Sequence, residues 1–583
     1  MGGDFRVGSW LVTPSLNNVS RRETTIRLEP KVMGVLVCLA QQASQTVSKE
    51  MLFRTVWPGT VVTDDVLTRC IAELRRALDD DAREPRIIQT IPKRGYRLIA
   101  PVTAEGVSPG PSASLIRDSI VVLPLVNMSS DSENEYFTDG ITEEIINALA
   151  QIRELHVVAR SSAFVFKGKH VDVRAVGEQL GVRTVLEGSV RRADNRLRVT
   201  VQLVSAADGF HLWSERYERE LRDIFTIQDE IARAVAERLT LTVGKGQQEP
   251  LIKAGTQNLE AYQLYLKGRA LLPRRNAVKL YLECFERATQ LDPSYAQAWA
   301  GVADAYTVLA YMGIVPPQAS APKALEAARR AVTLDASLAE THNALAIASL
   351  MCAWDRDTAG REFVRALEFN PRYTQARDWY AMYYLMFSEG RGVEAVAEAK
   401  NALASDPLSS YAHAMCGFIC AYAGETAQSL EAAHRAVELD PESYLARFAL
   451  QEVLRLAGQL KEAVAASEVA AAISGRHAWA LMLLSLAFAD WNRVTMAEAI
   501  YMELQARSLY QYVAPAVLAI VAAAASRESD AIGHAHRALE TRDPNAFMFS
   551  RHALVASRLY AYAGFKEIVA SMGRHEWLRV KSR

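Results

Sequence analysis

Basic residues cluster between positions 69 and 94 of the 583-residue chain. Arg69, Arg75 and Arg76 are spaced so that one helix could carry all three, and Lys93-Arg94-Gly95 has the composition of a hairpin tip. A guanidinium group presents several donors in one plane and binds phosphate or the edge of guanine, whereas an ammonium group binds phosphate as a point charge. This combination of residues indicates contact with the backbone and grooves of a nucleic acid.

The surrounding residues predict the elements that would position these cations. Apolar residues recur at helical spacing and predict a buried stripe on one helix: Leu67, Cys70, Ile71, Leu74 and Leu78. Residues off that stripe face outward: Thr68, Arg69, Glu73, Arg75 and Arg76. Gly95 accepts a turn conformation that other residues resist, so residues 87–91 and 96–99 are predicted to form a hairpin. Two helices at 28–43 and 48–56, and two strands at 5–13 and 24–28, are predicted before them.

Four segments in order carry a resemblance to a known domain: LEPK (28–31), VSKEMLFRTVWPG (47–59), IAELRRAL (71–78) and IIQTIPKRGYRL (87–98). Residues 5–102 resemble the OmpR/PhoB-type winged-helix DNA-binding domain, and the ELR and GYRL signatures are closest to its CadC-like branch. The resemblance implies an α+β winged helix-turn-helix with a recognition helix over residues 65–79.

The resemblance also implies roles for individual residues. Thr68, Arg69 and Ala72 would face bases, and Arg75 and Arg76 would meet phosphate or base edges. In the wing, Lys93 and Arg94 would reach the adjacent groove, and Tyr96 is also assigned to the DNA-binding set. Glu73 stands where related proteins often carry a basic residue, which makes base recognition by that position doubtful. The alternative is a solvated arginine face on an ordinary helix.

Charge is distributed unevenly along the chain. The whole chain has a formal net charge of −1, but residues 1–102 hold 15 Lys and Arg against 11 Asp and Glu. The basic excess therefore lies where the cationic cluster lies. Its modest size predicts moderate affinity for DNA unless two copies bind together.

The six cysteines are scattered, with no CxxC pair. Cys416 and Cys420 are four residues apart, which could suit a metal on a helix face, but their small apolar neighbours favour core packing and a reducing cytoplasm. No run of 18 apolar residues and no signal-peptide pattern is present, so a cytoplasmic protein with no membrane partner is expected. No catalytic, cofactor-binding or metal-ligating residue is assigned.

Residues 119–240 alternate between strand and helix patterns and predict a mixed sheet with helices packed on it, preceded by a Pro/Gly/Ser-rich linker at 103–118. Three stretches resemble the TolB amino-terminal-like (FlgO-like) domain: VVLPLVNMSSDSENEYFTDGITEEI, LGVRTVLEGSVRR and FHLWSERYERELRDIFTIQDEIA. Asp139, Glu143 and Glu144 could be paired catalytic carboxylates, but charges in the first turn of a helix explain them better. Lys167-Gly168-Lys169 is interpreted as a solvated turn rather than a phosphate cradle.

Residues 259–570 predict a helical repeat. Gly390, Gly424, Gly458, Asn492 and Ser526 follow one another at intervals of 34 residues. Gly and Asn accept the left-handed conformation that ends a helix, so the spacing predicts one helical hairpin per interval. The region resembles about eight tetratricopeptide repeats, with the last two degenerate and an extra loop at 313–322. Such an array is either a plain scaffold or presents a concave face to a peptide or protein.

Together these patterns predict a non-enzymatic DNA-binding transcription regulator of three domains, at 1–102, 119–240 and 259–570. Its expected partners are double-stranded DNA and a protein or peptide on the repeat groove, with RNA polymerase and a second copy of the chain as further candidates. Two alternatives remain: a signalling protein whose middle domain binds or turns over a nucleotide, and a scaffold whose winged helix binds protein.

Overall fold

The structure is a computed structural model that describes residues 5–571. The gaps within it are residues 9, 14–17, 22–23, 42–45, 57–63, 82–84, 92–93, 101, 105–118, 130–133, 151, 153–154, 170, 194, 240–254, 273–276, 551 and 553. The chain divides into two compact units, Met1–Ser114 and Leu115–Arg583. Each has its own hydrophobic core.

Among its described residues, the N-terminal unit has three helices and two small antiparallel sheets. Its elements are β1 (Phe5–Val7), β2 (Trp10–Thr13), β3 (Asn18–Arg21), β4 (Thr24–Arg27), α1 (Pro30–Gln41), β5 (Thr46–Ser48), α2 (Lys49–Val56), α3 (Asp64–Leu78), β6 (Ile88–Ile91), β7 (Gly95–Leu98) and β8 (Val102–Ala104). One sheet has the order β4-β3-β2-β1-β8 and the other β5-β7-β6.

Several strands of this unit differ from the sequence prediction, which did not include β3. The single strand expected at 5–13 is two strands, because Gly8 adopts a φ of 57° between them. Strand β5 lies between the two helices predicted at 28–43 and 48–56, where no strand was predicted, and pairs with β7. The first residues of the expected linker, Thr103 and Ala104, belong to β8, which pairs with β1 so that Phe5 lies opposite Ala104.

The second unit begins with an α/β region. Its elements are β9 (Ser119–Val122), β10 (Val126–Asn127), α4 (Asn134–Ala150), β11 (His156–Val157), α5 (Arg160–Phe164), α6 (Val173–Leu180), β12 (Thr184–Ala193), β13 (Arg196–Ser205), β14 (His211–Glu220) and α7 (Ile224–Arg238). The sheet order is β11-β9-β12-β13-β14, with β10 beside β12. Strands β11, β9 and β12 run parallel, and β12, β13 and β14 run antiparallel.

Helix α4 corrects two interpretations of charged residues. It begins at Asn134, so Asp139 and Glu143 lie in its middle rather than in its first turn. Burial raises the pKa of Asp139 although the Lys167 ammonium, 2.6 Å away, lowers it. Lys167 also contacts Glu135 at 2.8 Å, so it forms ion pairs instead of standing in a solvated turn.

Eight antiparallel helix pairs follow in the described part of the chain, ending with a single helix. They are α8 (Leu259–Leu271), α9 (Val278–Leu291), α10 (Ala296–Tyr311), α11 (Pro317–Leu334), α12 (Ala339–Ala348), α13 (Arg356–Phe369), α14 (Thr374–Trp379), α15 (Gly392–Ser405), α16 (Ser410–Ala423), α17 (Thr426–Leu439), α18 (Tyr444–Leu456), α19 (Leu460–Ile473), α20 (Ala478–Asp490), α21 (Val494–Arg507), α22 (Pro515–Ala524), α23 (Glu528–Glu540) and α24 (Ala563–Ser571). Helices α12 and α14 continue as π-helical turns, Ser349–Ala353 and Tyr380–Ser388.

The predicted 34-residue period is confirmed by the backbone. Positive φ angles occur at all five predicted positions: 67° at Gly390, 86° at Gly424, 77° at Gly458, 58° at Asn492 and 59° at Ser526. Each ends the first helix of a unit and starts the turn to the second. Two details differ from the prediction. The loop expected at 313–322 is shorter, because α11 begins at Pro317, and the pair α22–α23 is regular.

The α/β region and the helical array share one continuous core and lie in the same compact unit. Buried Glu143 of α4 pairs with Arg269 of α8 and with Arg160 at 3.1 Å. Farther along the array, buried Asp406 accepts hydrogen bonds from the hydroxyl groups of Ser161 and Ser162 and, at 2.9 Å, from the Ser162 amide. The array therefore holds the α/β region at two distant points.

A C-terminal insert, residues 541–550, lies against the first helices of several units. The ring of Phe547 is 5.4 Å from that of Tyr383, 5.6 Å from Phe387 and 6.3 Å from Trp479. The Trp479 indole donates to the Asn545 side chain at 2.9 Å. We call the surface formed by these first helices the inner face of the array, and the insert covers part of it.

Candidate nucleic-acid interface

Helix α3 separates an apolar stripe from an exposed basic stripe. Leu67, Ile71, Leu74 and Leu78 are each at most 2% exposed and fix the helix in the N-terminal core. On the opposite side the exposed residues are Asp65, Val66, Thr68, Arg69, Ala72 and Arg76. Each of them lies three or four residues from another member of the set, so together they form one continuous face. This face combines hydrogen-bond donors with small apolar groups, as a base-contacting helix requires.

A buried carboxylate connects α3 to the following hairpin. Asp79 ends the helix with a φ of 56°, and Asp80 turns inward. The Asp80 carboxylate accepts hydrogen bonds from the amides of Arg86 at 2.7 Å, Ile87 at 2.9 Å and Ile88 at 2.8 Å. These amides lie directly before β6 and at its first residue. The Asp80 side chain therefore fixes the position of the hairpin relative to α3.

Arg75 strengthens the same connection. Its guanidinium donates to the carbonyl oxygen of Ile88 at 2.8 Å and to the Thr90 hydroxyl at 2.9 Å, and it lies 3.9 Å from the Asp80 carboxylate. The side chain is 14% exposed. This corrects its expected place among the DNA contacts, because its Nη2 donates both hydrogen bonds to the hairpin and the side chain is mostly buried.

The hairpin tip exposes Arg94, whose amide donates to the Ile91 carbonyl at 3.0 Å and closes the turn. Gly95 follows with a φ of 140°, and a Cβ atom there would lie 2.0 Å from the Val47 carbonyl oxygen. Glycine is thus required both for the backbone conformation and for the approach of β5. Lys93 lies outside the described residues. Tyr96 is only 6% exposed and belongs to the core, which corrects its assignment to the DNA-facing surface.

Sequence reasoning missed two residues of this region. Asp80 belongs to the run Asp79-Asp80-Asp81, which has the composition of a solvated turn, and its inward position follows only from the tertiary fold. Val66 is 38% exposed on the basic face, although an isolated valine at the start of a helix predicts core packing. The sequence feature that could have identified Val66 is its spacing: it lies two residues before Thr68 and three before Arg69, which places it on their side of the helix.

The cysteines and other ligand-type residues show no sign of a metal centre. In the described ranges no group of three or more His, Cys, Asp or Glu side chains could hold a metal ion. Cys416 and Cys420 are both buried in α16 with 3.8 Å between the sulfur atoms, and burial raises the pKa of the Cys70 thiol on the buried side of α3. Over the described helices, none has the length and apolar character needed to cross a membrane.

Comparison with known proteins identifies the N-terminal domain. Residues 23–98 match the family described as transcriptional regulatory protein, C terminal. The chain is 46% identical over 98 residues to the transcriptional activator CadC of Escherichia coli, which is 17% of this chain and 19% of CadC. It is 26% identical over 325 residues to the transcriptional regulator HilA of Salmonella typhimurium, which is 54% of this chain and 55% of HilA.

A third relative has a name of another kind. The chain is 40% identical over 237 residues to a Rhizobium meliloti protein whose name assigns it to the adenylate cyclases, and the match covers 40% of each protein. The chain thus spans from about a fifth to about half the length of these three relatives.

Solved structures match separate parts of the chain. The DNA-binding domain of Escherichia coli CadC is 44% identical, with 96% of that domain and 18% of this chain covered and a TM-score of 0.17. The tetratricopeptide-repeat protein YrrB is 23% identical, with 96% of YrrB and 33% of this chain covered and a TM-score of 0.21. The family match and the CadC relative agree with the geometry of α3 and its hairpin: the N-terminal unit contains an OmpR/PhoB-type DNA-binding domain.

Proposed function

We propose that this chain is a cytoplasmic regulator of transcription that binds duplex DNA through α3 and the β6–β7 hairpin. The observation that carries the proposal is the exposed basic face of α3, held at a fixed position relative to Arg94 by buried Asp80. A helix that enters the major groove and a hairpin that reaches the adjacent groove need this fixed relation, because groove spacing is fixed in duplex DNA.

Within this proposal the contacts divide into two kinds. Arg69, Thr68 and Ala72 lie on the central part of the exposed face and recognise base edges, with Val66 and Ala72 suited to thymine methyl groups. Arg76 and Arg94 bind phosphate, and Lys93 is assigned to the wing from the sequence alone. Arg75 and Tyr96 are left out of the contact set, since one supports the hairpin and the other is buried.

The helical array is proposed as the platform that receives the signal, with a protein or peptide as its partner and RNA polymerase as a further candidate at the promoter. The C-terminal insert bears on this role, because Phe547 and Asn545 occupy contacts on the inner face that a partner would need. A ligand of that face therefore has to displace the insert or bind beside it. The α/β region, which resembles TolB amino-terminal-like domains, couples the array to the DNA-binding unit in this proposal.

Salt dependence of DNA binding tests the central claim. A groove-binding domain that makes about 5 phosphate contacts gives a slope of roughly −4 to −5 for log K against log salt concentration. We expect this slope both for the full chain and for residues 1–114, which form a compact unit with their own core. A slope near zero for both would contradict DNA binding. Genome-wide DNA pull-down with the full chain would then supply the operator sequence.

A signalling enzyme is the second candidate function, favoured by the 40% identity to the Rhizobium meliloti protein. The activity in that name belongs to that protein, of which three fifths lies outside the match. Incubation of the full chain with ATP and a divalent cation, followed by detection of cyclic nucleotide, distinguishes the two. Turnover that Arg69→Ala leaves intact would favour the enzyme.

A further inference from the structure

Strand β14, His211–Glu220, is the edge strand of the sheet in the second unit. Strand β13 pairs with one side of it from Arg196 opposite Glu220 to Val204 opposite His211. No other described strand pairs with the opposite side of β14. An unpaired edge ten residues long is a template for the addition of another strand.

Most side chains of β14 are exposed, and their charges have an unusual order. The segment Glu215-Arg216-Tyr217-Glu218-Arg219 is antisymmetric about Tyr217, since each charge has its opposite at the same distance on the other side. Tyr217 is 5% exposed and is turned into the core, and α7 packs against this strand. Arg216 and Glu218 point to the opposite face, where their side chains are 58% and 31% exposed.

We propose that β14 pairs antiparallel with β14 of a second copy of this chain, about a two-fold axis through Tyr217. In this register Arg216 lies opposite Glu218 of the second copy, and Glu215 lies opposite its Arg219. The two-fold axis generates each pair twice, so all four charges of each strand face an opposite charge. Oppositely charged residues directly across an antiparallel pair stabilise it, and like charges destabilise it.

Other registers are less favourable. Centring the pair on Arg216 or Arg219 places two guanidinium groups on the axis, and centring it on Glu215 or Glu218 places two carboxylates there. Only the Tyr217 register puts an uncharged residue at the axis within this segment. The existing ion pairs also allow Arg216 to leave Glu218 of its own strand for Glu218 of the second copy. Glu218 contacts both Arg216 at 2.7 Å and Arg198 at 3.2 Å, so Arg198 still neutralises Glu218 while Arg216 changes partner.

The occupant is a second copy rather than an unrelated strand because the pattern complements itself. An edge strand whose charges serve only to prevent association does not need those charges in a particular order, and a run of lysines is sufficient. An antisymmetric order instead gives a two-fold interface in which the same patch appears on both partners. Residues Ser214 to Glu220 would form the paired segment.

Charge reversal tests the proposal with the full-length protein and without DNA. The variant Arg216→Glu/Arg219→Glu makes the four charged residues of the segment 215–219 all acidic. The variant Glu215→Arg/Glu218→Arg makes the same four residues all basic. We expect the wild-type protein to be a dimer at micromolar concentration by analytical ultracentrifugation. Each double variant alone should be monomeric, with the dimer Kd raised by about 100-fold or more, because four attractive pairs become repulsive.

Mixing supplies the control for folding. An equimolar mixture of the acidic and basic variants should form a heterodimer, and the variant that carries all four substitutions should again form a homodimer. A monomeric wild-type protein would overturn the proposal. So would double variants that remain dimeric, or a mixture that stays monomeric while both variants retain wild-type circular dichroism. Since the readout is mass in solution, the result is independent of whether the chain binds DNA.

Discussion

The arginines of the two units are used in opposite ways. In α3, Arg69 and Arg76 are exposed, and neither forms an ion pair with another described residue. In the helical array, Arg455 of α18 is 8% exposed, contacts the buried Glu452 carboxylate at 2.7 Å and 2.8 Å, and reaches Asp490 of α20 at 2.6 Å. Asp490 in turn accepts from Arg558 at 2.9 Å. The first set is available to an external anion, and the second is satisfied within the fold.

This difference shows why the number of arginines alone does not locate a nucleic-acid site. The chain contains 66 lysines and arginines, but a cation that is buried against a carboxylate is not accessible to phosphate. The distinguishing feature is exposure together with the absence of an ion pair among the described residues. Substitutions in the two sets should therefore change different properties of the protein.

The largest effect is expected from Arg455→Met. The substitution leaves the buried Glu452 carboxylate without its main partner, which costs about 3–5 kcal/mol in the free energy of unfolding. Urea denaturation followed by circular dichroism measures this loss. The double variant Arg455→Met/Glu452→Leu removes both charges and should recover most of the stability. DNA affinity should not change in either variant, and a parallel loss of DNA binding would contradict the separation of the two units.

The C-terminal insert provides the next largest effect. Phe547→Ala removes ring contacts with Tyr383, Phe387 and Trp479, and a loss of about 3 kcal/mol is expected for truncation of a packed phenylalanine. Hydrogen exchange should accelerate at residues 544–550 first. Tyr510→Ala is the matched control, because Tyr510 is 82% exposed. Equal effects of the two substitutions would show that the insert is not held by the inner face.

Within the basic set, Arg69→Ala and Arg94→Ala should differ. Arg69 lies on the exposed face of α3, and loss of a bidentate arginine–guanine contact costs about 1–3 kcal/mol on the correct operator but much less on random DNA. Arg94 lies at the hairpin tip, so Arg94→Ala should weaken both duplexes by similar factors. Fluorescence anisotropy with operator and scrambled duplexes at one salt concentration measures both. Equal losses on the two duplexes for Arg69→Ala would remove it from the base-reading residues.

A smaller, pH-dependent effect is expected at the junction between α4 and the array. Burial and the neighbouring Glu143 carboxylate raise the pKa of Glu144 from 4.5 to about 8. The folded state then binds a proton that the unfolded state releases, so this contribution to stability is complete below pH 4.5 and is lost as the pH rises to about 8.

Glu144→Gln keeps the neutral form at every pH. It should match the wild-type protein near pH 5 and exceed its stability by about 1–2 kcal/mol near pH 8.5, with thermal denaturation as the measurement. Glu178→Gln, at an exposed position of α6, serves as the control and should show no pH-dependent difference. A stability gain for Glu144→Gln at both pH values would mean that Glu144 does not titrate in this range.

The sequence predicted features that depend on local periodicity. The buried stripe of α3 follows from helical spacing, and the five left-handed turns of the array follow from small or turn-forming residues every 34 positions. In both cases neighbouring residues in the chain decide the structure, so the pattern is visible without tertiary information.

Features that depend on distant contacts were not predicted. Arg75 has the same local environment in the sequence as Arg76, but only Arg75 lies beside Ile88 and Thr90 of the hairpin. Likewise, Asp406 follows a helix like the other Asp residues of the array, and its burial depends on Ser161 and Ser162, more than 240 residues earlier. The choice between a surface role and a buried role is made by partners that no local pattern identifies.

The pairing of β8 with β1 has a mechanical consequence. Since Phe5 lies opposite Ala104 and Val7 opposite Val102, the two ends of the N-terminal domain are hydrogen-bonded side by side. A force applied to the chain after residue 104 acts first on the β1–β8 strand pair, and it is transmitted to α3 only after these strands separate. The pairing of β8 with β1 therefore protects the shape of the recognition surface against a force applied at that end of the domain.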